Sequence, residues 1–154
     1  MVHTRSNREI EKIAISCQIV ADTLIMLEPH IVEGICVADL DRMAEDYIKS
    51  QGARPAFKGY MGFPATLCVS IDDAVVHGIP GEDILKQGQI VGIDCGAELD
   101  GYYGDHARSF AVGEITADKE KLPQKPMRLN QAMSLLLEYY QYIQLFSFLV
   151  LPLV

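Results

Sequence analysis

The chain has 154 residues, a length typical of one domain. Apolar residues make up 49% and charged residues 22%, which is the composition of a folded globular protein and excludes a disordered one. The net charge is −8, with 13 basic and 21 acidic residues, so no basic face is available to bind nucleic acid.

The four cysteines are widely spaced and form no CxxC pair: Cys17, Cys36, Cys68 and Cys95. This spacing predicts reduced thiols in a cytoplasmic protein, not a disulfide framework or a zinc site. The charges of Glu9, Glu11 and Lys12 interrupt the apolar stretch that a signal peptide requires, so secretion is not expected.

Two helices are predicted in the first third of the chain. Ser6 and Glu9 have the spacing of a capping box, and apolar residues recur behind them at helical spacing until Pro29 ends the helix. The second helix is predicted over Val37–Ser50, with Gly52 as its C-terminal cap.

A loop and a series of strands follow the helices. The loop is marked by Pro55, Gly59, Gly62 and Pro64. A short apolar strand is predicted at Leu67–Ile71, and residues 72–80 form the next connection. Two helices followed by strands predict an α+β fold.

The clearest pattern is a hairpin that starts at Ile90. Apolar and polar residues alternate over Ile90–Leu99, and Asp100-Gly101 is a strong type I′ turn sequence. If those two residues form the loop, Asp94 and Asp105 are diagonal neighbours on one face, with Cα atoms about 7–8 Å apart. The other residues predicted on that face are small, and this predicts an open basin over the carboxylates: Gly92, Gly96, Ala107 and Ser109.

Two neighbouring carboxylates repel each other and therefore favour binding a proton or a cation. Their hard oxygen atoms suit divalent ions such as Mn, Fe, Co or Mg. The alternative is that both aspartates are simply solvated on the polar face of a surface hairpin. A one-residue bulge would place them on opposite faces and exclude a shared metal.

Three segments in order resemble the first half of a type I methionine aminopeptidase. They are GYMGFP (residues 59–64), CVSIDDAVVHGIP (residues 68–80) and IVGIDCGAELDGYYGDHARSFAVG (residues 90–113). The REIEKI and DLDRMAEDYI helix sequences are also similar to that family, and the resemblance extends over residues 8–122.

This resemblance implies the N-terminal half of a pita-bread fold, with two helices packed on an antiparallel sheet that includes a metal-binding hairpin. It implies two divalent metal ions per complete site (Co, Mn, Fe or Zn), which activate water to remove the initiator methionine from nascent polypeptides. Asp94 and Asp105 match metal ligands of the family. The residues that match its substrate-binding positions are His77, Tyr60, Phe63, Cys68 and Phe57.

The composition changes after residue 122. Residues 139–154 carry no charge, but this run is shorter than the roughly 20 apolar residues of a membrane span, and no membrane partner is expected. We therefore predict a methionine aminopeptidase-like half over residues 1–122 and a divergent apolar tail over residues 123–154, produced by truncation or a shift of the reading frame.

The resemblance also implies three further metal ligands, one His and two Glu, which have no match after His106. The catalytic site is therefore expected to be incomplete and the chain to be inactive. One alternative is a non-catalytic half-fold that binds peptides or a partner. Another is a membrane-tethered form anchored by residues 135–154. Glu138 and Pro152 argue against it, because they interrupt the apolar run.

Overall fold

The computed structural model of the chain describes residues 4–74, 76–117 and 119. The predicted tail, residues 123–154, lies outside them. The described elements are the helices α1 (Asn7–Leu27) and α2 (Val37–Ser50) and the strands β1 (Arg54–Pro55), β2 (Leu67–Ile71), β3 (Ile90–Leu99) and β4 (Tyr102–Ala111). Short 3-10 helices cover Glu28–His30 and Tyr60–Gly62. The predicted α+β class is confirmed.

Both helices begin and end where the sequence predicts. At the start of α1 the Ser6 hydroxyl accepts a hydrogen bond from Glu9 N–H, while the Glu9 carboxylate accepts one from Ser6 N–H at 2.8 Å. The helix ends at Leu27, and Pro29 lies in the 3-10 turn that follows. After α2, Gly52 has a φ of 75° and donates to Lys49 O, as expected of a glycine that ends a helix.

The sheet is antiparallel, and β3 is its central strand. β4 pairs with one edge of β3 along its whole length. The other edge pairs with β2 and, further along, with β1, so these two strands lie end to end. β1 was not predicted, because its two residues include Pro55 and are too few to show an alternating pattern.

The core lies between the helices and one face of the sheet. Alternate residues of β3 are fully buried on that face: Val91, Ile93, Cys95 and Ala97. They belong to one cluster with residues of both helices, including Leu24, Leu27, Leu40 and Ile48. The opposite face of β3 therefore carries the intervening residues, among them Asp94. Among the described residues, no helix has the length and apolar character needed to span a membrane.

Helix α1 lies very close to β4. A Cβ atom added to Gly104 would lie 2.5 Å from Cys17 N, so only glycine fits at this position. The Ser16 hydroxyl donates to Tyr102 O at 2.8 Å. At the other end of α1, the Arg108 guanidinium forms a two-pronged ion pair with Glu28, at 2.8 and 3.0 Å. These contacts fix the strand that carries Asp105.

Candidate metal and substrate site

The turn of the β3–β4 hairpin sets the geometry of the carboxylates. Asp100 and Gly101 have φ values of 54° and 82°, as a type I′ turn requires. Leu99 pairs with Tyr102, Asp94 with Ala107 and Gly96 with Asp105, and the pairing continues without a bulge from Ile90 to Ala111. The predicted register is confirmed, and Asp94 and Asp105 share one face of the sheet.

The Asp94 and Asp105 carboxyl groups are close enough to interact electrostatically. Burial of the Asp105 carboxyl, the negative charge of Asp94 and the hydrogen bond between the two groups raise the pKa of Asp105 to about 7. Asp105 as a residue is exposed, since it lies on the open face of the sheet, but neighbouring protein atoms still remove part of the hydration of its carboxyl group. A cation bound between the two groups would relieve their repulsion.

The donor atoms of this pair fit a divalent cation, because paired carboxylate oxygens are hard ligands. The described part of the chain contains no group of three or more His, Cys, Asp or Glu side chains that could hold a metal ion. Asp94 and Asp105 alone are fewer than the three side chains of such a group.

Cys68 lies beside the carboxylate pair. It is directly opposite Asp94 in the β2–β3 pairing, and only 8% of its surface is exposed. Burial, followed by the negative charges of Asp94, Asp105 and Asp41, raises the pKa of the Cys68 thiol to about 11. Cys68 therefore presents a neutral, polarizable thiol to the site at physiological pH.

Phe57 covers part of the carboxylate face. A Cβ atom added to Gly96 would lie 2.6 Å from Phe57 Cε1 and 3.0 Å from Ala56 Cβ. Because Gly96 pairs with Asp105, the aromatic ring lies next to the carboxylates. The predicted open basin is therefore wrong at Gly96, where the absence of a side chain makes room for the Phe57 ring.

The other two aromatic candidates lie on the same tight loop as Phe57. Tyr60 N–H donates to Phe57 O and Phe63 N–H donates to Tyr60 O, both at 2.9 Å, while Gly59 N–H donates to Phe63 O at 2.8 Å. Phe63 is half-buried, whereas Tyr60 is 67% exposed. The three aromatic residues therefore lie in one compact loop, and of their side chains the Phe57 ring lies next to the carboxylate face.

His77 lies on the outer side of β2. Its neighbour Gly78 accepts a hydrogen bond from Val69 N–H at 2.8 Å, which places this segment along the free edge of the strand. The segment is therefore two strand spacings, about 9–10 Å, from β3. His77 is exposed and has a φ of 60°.

Asp41 is a residue of this region that the sequence pattern did not single out. Its Oδ1 atom accepts hydrogen bonds from Thr66 N–H and Leu67 N–H, at 2.9 and 2.7 Å, and so fixes the start of β2. Burial raises the pKa of Asp41, although the two hydrogen bonds oppose that change. A single aspartate within an amphipathic helix carries no pattern that could reveal such a distant contact.

The chain is similar to known metallopeptidases. A model of metallopeptidase family M24 matches residues 11–137. The methionine aminopeptidase of Clostridium acetobutylicum is 50% identical over 123 residues, which are 79% of this chain and 49% of that protein. Methionine aminopeptidase 1 of Bacillus subtilis is 47% identical over 122 residues, again 79% of this chain and 49% of the relative.

Solved structures give the same result. The crystal structure of methionine aminopeptidase from Rickettsia prowazekii has a TM-score of 0.79 and 34% identity, and the match covers 80% of this chain and 50% of that one. The prolidase from Pyrococcus furiosus, at 24% identity and a TM-score of 0.67, shares the fold. The chain spans about half the length of the curated relatives it matches. The resemblance to the N-terminal half of methionine aminopeptidases is thereby confirmed.

Proposed function

Because the chain belongs to metallopeptidase family M24, we propose that residues 1–122 supply the aspartate-bearing half of a methionine aminopeptidase site. The observation that carries this proposal is the bulge-free β3–β4 hairpin, which presents Asp94 and Asp105 on one face. The fold is the N-terminal half of the pita-bread arrangement.

Asp94 and Asp105 would hold the divalent metal, with Co, Mn, Fe and Zn as the candidate ions. When bound, such ions lower the pKa of a coordinated water and stabilise the oxygens that attack and leave in peptide hydrolysis. The hairpin contributes by holding both carboxylates on a rigid pair of strands. Their mutual repulsion favours binding of a cation over separate hydration.

The substrate is the N-terminus of a nascent polypeptide that begins with methionine. The aromatic loop and the neutral Cys68 thiol supply apolar, polarizable surface, which suits a thioether side chain. His77 donates or accepts a hydrogen bond to the peptide near the bond to be cleaved. The four free cysteines agree with action in the cytoplasm, where nascent chains emerge.

We expect the 154-residue chain to bind methionyl peptides without hydrolysing them. Two carboxylates alone hold a divalent ion weakly, and the resemblance implies one His and two Glu as further ligands. Without them, a coordinated water lacks the second positive charge that would lower its pKa.

Titration of Mn²⁺ into the purified chain, followed by calorimetry, tests the metal site. We expect the D94A/D105A variant to lose Mn²⁺ binding. The D46A/D83A variant removes two exposed aspartates elsewhere and should bind Mn²⁺ as the wild type does. Equal binding by both variants would show that the hairpin is not the metal site. A hydrolysis assay with a methionyl peptide and Mn²⁺, Co²⁺ or Fe²⁺ completes the test, since turnover that needs both hairpin aspartates would contradict the expected inactivity.

The second candidate is a non-catalytic module that binds peptides or a partner. It is favoured by two observations: Tyr60 is exposed, and no group of three or more candidate metal ligands is present in the described part of the chain. The two functions differ in their metal dependence. A metal-free binding module should retain its affinity for a methionyl peptide in the D94A/D105A variant and in the presence of a chelator.

A further inference from the structure

Asp72, the first residue after β2, connects three parts of the chain. Its N–H donates to Ile90 O at 2.9 Å, and its carboxylate accepts hydrogen bonds from Ile90 N–H and from the Gln89 side chain, at 3.2 and 3.3 Å. Lys119 Nζ lies 2.8 Å from the same carboxylate and 2.8 Å from Gly88 O. The ammonium group therefore binds both the end of β2 and the approach to β3.

The segment that carries His77 is also fixed at its far end. Gly78 O accepts the hydrogen bond from Val69 N–H, and a Cβ atom added to Gly78 would overlap the Val69 carbonyl group, 2.9 Å from its carbon. Only glycine allows the backbone to approach β2 this closely. The backbone of His77 is therefore constrained by the residue that follows it.

Both ends of the connection between Asp72 and His77 have an unusual backbone conformation. Asp72 and His77 have φ values of 50° and 60°, and they are two of the four non-glycine residues in the described part of the chain with a positive φ. Such conformations persist only where the surrounding contacts impose them, and they occur preferentially at functional sites. Here the positive φ values are imposed by the contacts of Asp72 and Gly78.

We propose that the Asp72–Lys119 ion pair positions His77 for binding the substrate. This inference rests on the substrate-binding function proposed for His77. Asp72 and Lys119 do not touch the substrate in this scheme. They fix the start of the connection, Gly78 fixes its end, and His77 is held between them against the free edge of β2.

The ion pair is partly exposed. The side chains of Lys119 and Asp72 are 36% and 34% exposed, so solvent screens part of the attraction between their charges. It also joins residues 47 positions apart, whereas the ion pair between Lys49 and Glu45, at 2.7 Å, joins adjacent turns of one helix. We therefore expect loss of the Asp72–Lys119 pair to loosen the connection between Asp72 and His77. Loss of the Lys49–Glu45 pair should leave the backbone of α2 in place.

NMR of the chain tests the positioning directly. D72N keeps an oxygen acceptor for Ile90 N–H and tolerates a positive φ, but it removes the charge that binds Lys119. K119M removes the ammonium from the other side, and K49M is the matched control. We expect the ¹⁵N relaxation and the imidazole signals of His77 to show increased motion in D72N and K119M and no change in K49M. Unchanged His77 signals in D72N and K119M would overturn the proposal.

Binding of the tripeptide Met-Ala-Ser tests the consequence for function. We expect D72N to weaken binding about threefold to tenfold, the range expected when one positioned hydrogen bond is lost. The D72N/H77A double variant should bind no more weakly than H77A, because Asp72 acts through His77. Additive losses would show instead that Asp72 acts on the fold as a whole. Absence of binding by the wild type would refute the proposed function, while the His77 signals would still decide whether the ion pair positions this residue.

Discussion

Three glycines of the β3–β4 hairpin allow a graded test of how closely the molecule is packed around the carboxylates. An alanine at Gly104 would place its Cβ 2.5 Å from Cys17 N, a backbone atom of α1. At Gly96 the nearest atom, 2.6 Å away, belongs to the Phe57 ring, which can move. At Gly92 the nearest atom is Ser70 O at 3.8 Å, an ordinary van der Waals contact.

The expected magnitudes follow from these distances. Overpacking costs about 1–3 kcal/mol, and alanine recovers about 0.4–1 kcal/mol by reducing the entropy of the unfolded chain. We expect Gly104→Ala to lose about 3 kcal/mol, because strand and helix must separate. Gly96→Ala should lose about 1–2 kcal/mol as the Phe57 ring shifts, and Gly92→Ala should be neutral or slightly stabilising.

Urea unfolding followed by circular dichroism measures the three free energies, with Gly92→Ala as the control for β-strand substitution. Gly96→Ala should in addition weaken binding of Met-Ala-Ser, because Phe57 moves away from the carboxylate face. If Gly104→Ala and Gly92→Ala unfold at the same urea concentration, the close approach of α1 to β4 cannot be the reason for a glycine at Gly104.

Three further predictions concern charged groups. The pKa of Asp105 is raised to about 7, above its ordinary value near 3.9, so its contribution to stability is fully present below about pH 4 and is lost as the pH rises through 7. After allowance for solvent screening, we expect the free energy of unfolding, measured with urea in the absence of metal, to fall by about 1–2 kcal/mol by pH 8. Asp105→Asn should abolish this pH dependence, and Mn²⁺ should restore the lost stability. A wild-type stability that does not change with pH would contradict this prediction. Arg108→Met removes the partly exposed ion pair with Glu28 and should cost about 0.5–1 kcal/mol by the same assay, and a loss above about 3 kcal/mol would require another cause. Asp41→Ala leaves two backbone N–H groups at the start of β2 without an acceptor and should cost about 2–4 kcal/mol of stability. Asp41→Asn keeps the Oδ1 acceptor and should cost little. Equal losses in the two variants would exclude these hydrogen bonds as the cause.

The elements that were predicted correctly are those encoded by local chemistry. The capping box at Ser6 and the stop at Pro29 define α1 without reference to the rest of the chain. The Asp100-Gly101 turn likewise fixes the register of ten residue pairs, because a two-residue type I′ loop permits one alignment. The shared face of Asp94 and Asp105 follows from that turn together with the absence of a bulge in the ten pairs.

The features that were not predicted depend on residues far apart in the sequence. β1 forms only because β3 offers an edge beyond the end of β2, and its two residues carry no pattern of their own. The ring of Phe57 reaches Gly96 through a tertiary contact that no periodicity encodes. Lys119 and Asp72 also meet across 47 positions, and a lone lysine after the last strand gives no indication of its partner.

The hairpin also determines the entropic cost of bringing the Asp94 and Asp105 carboxylates together. Asp94 and Asp105 are separated by a short, continuous segment of the chain. The entropic cost of bringing two residues together rises as about (3/2)RT ln n, so a pair about 11 residues apart meets at about 2 kcal/mol less cost than a pair about 100 residues apart. This difference offsets part of the repulsion between the two like charges. The two like charges are therefore brought together by a short chain segment, at a low entropic cost.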